Sequence, residues 1–143
     1  MKKFIAVLAV VLLLCGIAFV FIWPVLRMEF ASSAHYTEQD KREYKYYTPE
    51  LLKKMPRISK DYEFHYTNIS GPQAFVFGIH FNGTTETSRI RKYLISEGYI
   101  PQKECQVQAE CWRSPRNNDV VSLYKLVEFN EAGVEIYRRP NKE

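Results

Sequence analysis

The sequence predicts an α+β fold: an N-terminal transmembrane helix, then a small domain with a mainly antiparallel sheet of two hairpins and one packed helix. Three observations lead there. Residues 4–26, FIAVLAVVLLLCGIAFVFIWPVL, carry no charge. Residues 61–67 and 74–81 set aromatic or aliphatic side chains at every second position. Residues 85–97 place apolar side chains at helical spacing and stop at Gly98.

The apolar run comes first. A membrane-crossing helix takes roughly 20 apolar residues, because its backbone polar groups must bond internally across ~30 Å of hydrocarbon. The run is 23 residues long, whereas a cleavable signal has an apolar core of about 7–15. Trp23 suits the interface at its end. Ser32-Ser33-Ala34 is a small-residue cleavage site, but it lies beyond a charged stretch. Cys15 follows Leu14, where a lipoprotein signal carries a small residue. An uncleaved anchor is therefore the expectation.

Lys2 and Lys3 precede the run and Arg27 follows it, so the positive-inside rule holds the N-terminus in the cytoplasm. The Met-Lys-Lys start before a bare apolar run has a bacterial character. The expected location is the bacterial cytoplasmic (inner) membrane, single-pass, with the C-terminal domain periplasmic or extracellular. The layout follows: a cytoplasmic tip at 1–3, an anchor at 4–26, a charged tyrosine-rich neck at 27–47, and an exported α+β domain at 48–143.

The net charge of +4 comes mostly from the anchor flanks. Beyond Arg27 there are 17 basic and 16 acidic residues, a balance that offers no phosphate-binding surface, and no nucleic-acid partner is expected. About 110 residues suffice for one core.

In the neck, Thr37 and Asp40 can start a marginal helix. A stronger start is Thr48-Pro49-Glu50, with a cap, a first-turn proline and an acid; Pro56 ends that helix after about two turns. Residues 61–67 and 74–81 then form a hairpin around Gly71-Pro72. Pairing Phe64 with Phe77 puts Tyr62, Phe64, Tyr66, Phe75, Phe77, Ile79 and Phe81 on one face. The helix at 85–97 stacks Ile90, Tyr93, Leu94 and Glu97 before the left-handed stop at Gly98. A terminal hairpin joins 120–129 to 134–138 through Asn130-Glu131-Ala132-Gly133, with Phe129 opposite Val134.

Cys105 and Cys111 are an even pair, since Cys15 lies in the span, and an exported domain would oxidise them. Their spacing differs from the C-x2-C of redox and zinc motifs. A structural disulfide is expected.

The second face of the first hairpin carries Asp61, Glu63, His65 and His80. With Phe64 opposite Phe77, Asp61 faces His80. Two His and two carboxylates can ligate a transition metal or run acid–base chemistry, yet a half-exposed hairpin shows such a polar face in any case. In that register His65 and His80 stand several residue pairs apart, so no metal and no cofactor are expected. None of the serines sits in a Gly-x-Ser-x-Gly turn, and no phosphate loop, H-E-x-x-H or calcium loop is present. Asn68-Ile69-Ser70 and Asn82-Gly83-Thr84 match the glycosylation pattern, which has no meaning in a bacterium.

Ten Tyr and nine Phe exceed what one modest core easily hides, and Tyr and Trp favour interfaces. The side chains left over are Tyr36, Tyr44, Tyr46, Tyr47 and Trp112, with Arg113 and Arg116 beside the tryptophan. Trp112, Arg113, Arg116, Tyr44, Tyr46 and Tyr47 form the expected binding surface, and no catalytic residue and no small-molecule ligand are assigned. The expectation is a non-enzymatic module that grips another envelope protein. A small envelope hydrolase or metal-binding protein, using the Asp61/Glu63/His65/His80 face, and a structural subunit of a membrane complex are the alternatives. In layout, a short anchor plus a compact disulfide-bearing domain resembles small bacterial envelope proteins, including toxin-immunity proteins and inhibitors; the likeness covers no motif.

Overall fold

A computed structural model describes residues 1–140. The chain divides into two units, Met1–Ala31 and the residues from Ser32 onward. The first is one helix, α1 (Lys2–Glu29), with Pro24 inside it. It is long and apolar enough to cross a membrane, and none of its most apolar stretch is buried against protein.

The second unit is an α+β domain on a single antiparallel sheet. Its strands are β1 (Ser33–Tyr36), β2 (Tyr62–Ile69), β3 (Ala74–Asn82), β4 (Ile100–Pro101), β5 (Glu110–Arg113), β6 (Val120–Leu126) and β7 (Glu131–Arg138). They lie in the order β1-β2-β3-β7-β6-β5-β4. Two separate hairpins are therefore too simple a description: β3 pairs with β7 along its length, so the first and last strand pairs merge. The paired residues of β3 and β7 lie 49 to 63 positions apart in the chain, and local turn signals do not report such a contact.

The helices are α2 (Lys41–Tyr47), α3 (Glu50–Lys53) and α4 (Ser88–Ser96). Residues 32–47 of what composition reads as a neck fall within the second unit. Ser33–Tyr36 becomes the edge strand β1, paired with β2, and α2 lays Tyr44 and Tyr47 on the sheet. Tyr47 stacks on Tyr66 at 4.5 Å and Tyr44 meets Phe64 edge-on at 5.3 Å. Aromatic side chains without helical period can still pack when the sheet beneath them is aromatic too. The second helix is one turn rather than two: Pro49 takes its cap position, and the Thr48 hydroxyl instead bonds Tyr36 Oη at 2.9 Å. Arg57 closes its C-terminus by donating to the Leu52, Met55 and Lys53 carbonyls. It also pairs with Glu38 at 2.7 Å and lies over the Tyr62 and Phe64 rings. Helix α4 buries Ile90 and Leu94 completely and ends at Gly98, whose φ is +85°.

Strand alternation assigns the faces as the sequence suggests, but both registers move. Phe64 pairs with Ile79, not Phe77; β2 runs on to Ile69, which leaves a four-residue turn at 70–73 in place of a six-residue link. The shift is two residues, so every side chain keeps its face. Glycine explains it. The His65 ring lies over Gly78, its partner in this register, where a Cβ would fall 2.0 Å from its Cε1, so a glycine opposite His65 gives the ring room. At the other end, residues 127–130 make the turn: Val127–Phe129 is a 3-10 turn and Asn130 is left-handed at φ 54°. Gly133 is therefore a strand residue. Its missing Cβ admits the Tyr124 hydroxyl, which would otherwise lie 2.3 Å away. Leu123, not Phe129, pairs with Val134.

One face of this sheet is the core. The row Tyr36, Phe64, Ile79, Val134, Leu123 crosses five strands, and all five residues are buried. The opposite rows are half-exposed. The Cys105–Cys111 disulfide ties the loop before β5 to that strand.

Candidate functional site

The open face gathers all three histidines of the chain, because His35, His65 and His80 share one parity across three adjacent strands. His35 stands directly opposite His65, their rings 6.2 Å apart. His65 Nε2 lies 3.2 Å from Glu135 Oε1. His80 has two partners: Tyr124 Oη at 2.9 Å from Nδ1 and Glu131 Oε2 at 3.2 Å from Nε2.

The roles within this chain follow from the tyrosine. Burial, then the charges of Glu135, Glu131 and Glu63, push the Tyr124 hydroxyl well above its ordinary range. It keeps its proton; with the ring neutral and Nε2–H directed at the Glu131 carboxylate, Nδ1 is an acceptor and the hydroxyl donates to it. Donor and acceptor are thus ordered Tyr124→His80→Glu131, which fixes the histidine tautomer. This arrangement holds a proton in a defined place. It does not gather a metal: among the described residues no three His, Cys, Asp or Glu side chains converge.

Of the residues singled out by sequence, the structure places Glu63 directly opposite His80. Asp61 lies just before β2 and pairs with neither histidine, a correction that follows from the two-residue register shift. Tyr124, Glu131, Glu135, Gly78 and Gly133 are the partners that sequence reading missed. The alternation of Glu131, Gly133 and Glu135 is visible in the sequence once 131–138 is read as one strand.

The expected surface of Trp112, Arg113, Arg116, Tyr44, Tyr46 and Tyr47 is dispersed. Trp112 is only 3% exposed; it pairs with Val121 in a core-facing row, so it cannot be an exposed anchor. Four residues of strand put Cys111 and Trp112 on opposite faces, and the indole takes the core. Arg113 is exposed at the sheet's side, while Arg116 donates to the Glu97 carbonyl. Tyr47 is buried and Tyr44 half-buried. Tyr46 is exposed and edge-on to Tyr47 at 4.9 Å.

Apolar exposure collects elsewhere. The β6–β7 turn leaves Leu126 at 41%, Val127 at 75% and Phe129 at 68%. The turn is tight, with Asn130 N–H donating to the Val127 carbonyl at 3.2 Å. Leu126 pairs with Glu131 and Glu131 with Asn82, which puts this tip at one end of the sheet. Ser32, where the chain enters the domain, accepts from Asn68 N–H at 2.8 Å, at the opposite end.

No family model matches the chain, no curated protein matches its sequence, and no solved structure matches its fold.

Proposed function

We propose that the chain is a membrane-tethered binding module that holds its domain outside the cytoplasm and grips another envelope protein with the β6–β7 tip. The observation that carries this reading is the tip itself. Three apolar side chains on one tight turn stay out of the core, at the end of the sheet opposite Ser32. Clustered apolar exposure of this kind marks contact sites, whereas scattered single residues do not. Val127 and Phe129 would enter an apolar pocket of the partner, and occlusion of that partner's surface would be the mode of action, as in an immunity or inhibitor protein. The tether is α1. The Cys105–Cys111 disulfide and the two lysines at the start of α1 support an exported domain.

The test is capture of the full-length chain from its native membranes under mild crosslinking, beside a Val127→Asp/Phe129→Asp variant. Both side chains are exposed, so the variant should fold within about 0.5 kcal/mol of the parent. The parent should bring down one stoichiometric envelope protein and the variant none; equal recovery by both would refute the tip as the contact.

A second reading, a small hydrolase of the open face, is favoured by one observation, the ordered Tyr124–His80–Glu131 chain. It separates cleanly from the first: His80→Ala would abolish a hydrolytic activity and leave tip-dependent capture intact.

A further inference from the structure

We propose that His80 and Tyr124 form a proton-operated switch on the open sheet face: a proton taken up at His80 Nδ1 reverses the bond between them and turns the tyrosine O–H toward a neighbouring carboxylate. The inference is independent of which partner the tip binds.

The neutral arrangement has a single consistent assignment. Tyr124 Oη and His80 Nδ1 are 2.9 Å apart, and one of them must donate. While the ring is neutral, with Nε2–H on Glu131 at 3.2 Å, Nδ1 is a bare acceptor and the tyrosine donates. A doubly protonated ring has no acceptor left. Nδ1–H must then donate to Tyr124 Oη, and the hydroxyl proton must leave the line between the two atoms.

The surroundings decide what moves. Tyr124 lies over Gly133, where a Cβ would come 2.3 Å from its Oη and 2.4 Å from its Cζ. That close seat holds the ring, so only the O–H rotor is free to answer. Acceptors are at hand. The groups that face His80 are Glu63 of β2, directly opposite, Glu131 of β7 and Tyr124 of β6. One row away stand the Glu135–His65 pair and, beyond it, His35 of β1; Asp61 lies just past Glu63. The charges of Glu135, Glu131 and Glu63 all act on the Tyr124 hydroxyl. Glu131 and Glu135 each lie beside one histidine Nε2 and keep further acceptor positions, so the reoriented hydroxyl is offered to a carboxylate of this cluster.

An ordinary surface histidine would titrate without moving any neighbour's hydrogen bond. Here one proton changes the charge of the face and reverses a buried-side donor, on a part of the molecule that meets ambient pH if the domain is exported.

Histidine-selective 15N and tyrosine-selective 13C labelling of the full-length chain in detergent micelles tests this directly. With three histidines in the sequence, the ring signals are few, and loss of a tyrosine signal in Tyr124→Phe identifies that residue. Where the ring is neutral, His80 should be the Nε2–H tautomer. On acidification the Tyr124 ring signal should shift with the same midpoint as His80, and His80→Gln should remove that transition. In Tyr124→Phe the His80 tautomer preference should fall toward that of exposed His35. An Nδ1–H tautomer at neutral pH would overturn the proposal, as would a Tyr124 signal that ignores His80 or keeps its transition in His80→Gln.

Discussion

The two faces of the sheet come from the same strands, residue by residue, yet they are held in different ways. On the covered face, Phe64, Ile79, Val134 and Leu123 are packed to near-zero exposure under the helices, and area removed from water does the stabilising. On the open face, neighbours one position along are joined by directed bonds: His65 to Glu135, His80 to Tyr124 and Glu131. Packing tolerates loss of direction but not of volume, while hydrogen bonds half in water contribute little net energy and much geometry. The covered face should therefore govern stability and the open face should govern ionic behaviour.

Adjacent residues on opposite faces give the largest contrast. Phe64→Ala should cost about 3–5 kcal/mol through the cavity it leaves, whereas His65→Ala should cost about 0.5–1.5 kcal/mol for one half-exposed bond. Chemical denaturation of the two variants measures both. Comparable losses would show that the faces are not distinct.

Next in size is the Cys105–Cys111 bridge. Replacing both cysteines with serine should cost about 2–3 kcal/mol by loop entropy, read as an earlier denaturation midpoint under non-reducing conditions. The two strand glycines follow, at about 1–3 kcal/mol for overpacking. The three atoms nearest a Cβ at Gly78 all belong to the His65 ring, so adding His65→Ala to Gly78→Ala should restore most of the loss. Gly133→Ala also meets the Ile79 backbone carbonyl at 2.7 Å, and adding Tyr124→Ala should not restore it. Equal rescue at both sites would mean that the strand register described here is wrong.

A further effect appears only at high pH. Burial pushes the hydroxyls of Tyr36 and Tyr93 up to about 12 from an ordinary 10. A pKa raised on folding gives stability that is complete below the unfolded value and is lost as pH rises through the folded one. Thermal melts should therefore fall between pH 10 and 12, and Tyr36→Phe should soften that fall. Melts that stay flat across the window would argue against burial of these rings.

Much of the covered face was legible because period two survives any even shift of register. Tyr62, Phe64 and Tyr66 lie on the expected side although their partners moved by two residues. The stop at Gly98 and the disulfide were legible too, since each is a local signal. What was not legible depends on contacts distant in sequence. The pairing of β3 with β7 cannot be read from turns, and without it Gly133 passes for a turn residue and Glu131 for a loop acid. Trp112 misleads for a related reason: in a four-residue strand, alternation is too short to say which of two neighbours faces the core. The exposed tip was hidden by its own hydrophobicity, because Val127 and Phe129 read as strand residues until the left-handed Asn130 ends the strand early.

The central claim, that the chain acts through the β6–β7 tip, is tested most directly by photo-crosslinking in native membranes, with a photoreactive phenylalanine analogue at position 129 or at position 65. A single discrete protein adduct from 129, absent from 65, is the expected result. An adduct from position 65 with none from 129 would contradict the tip and move the contact to the open sheet face.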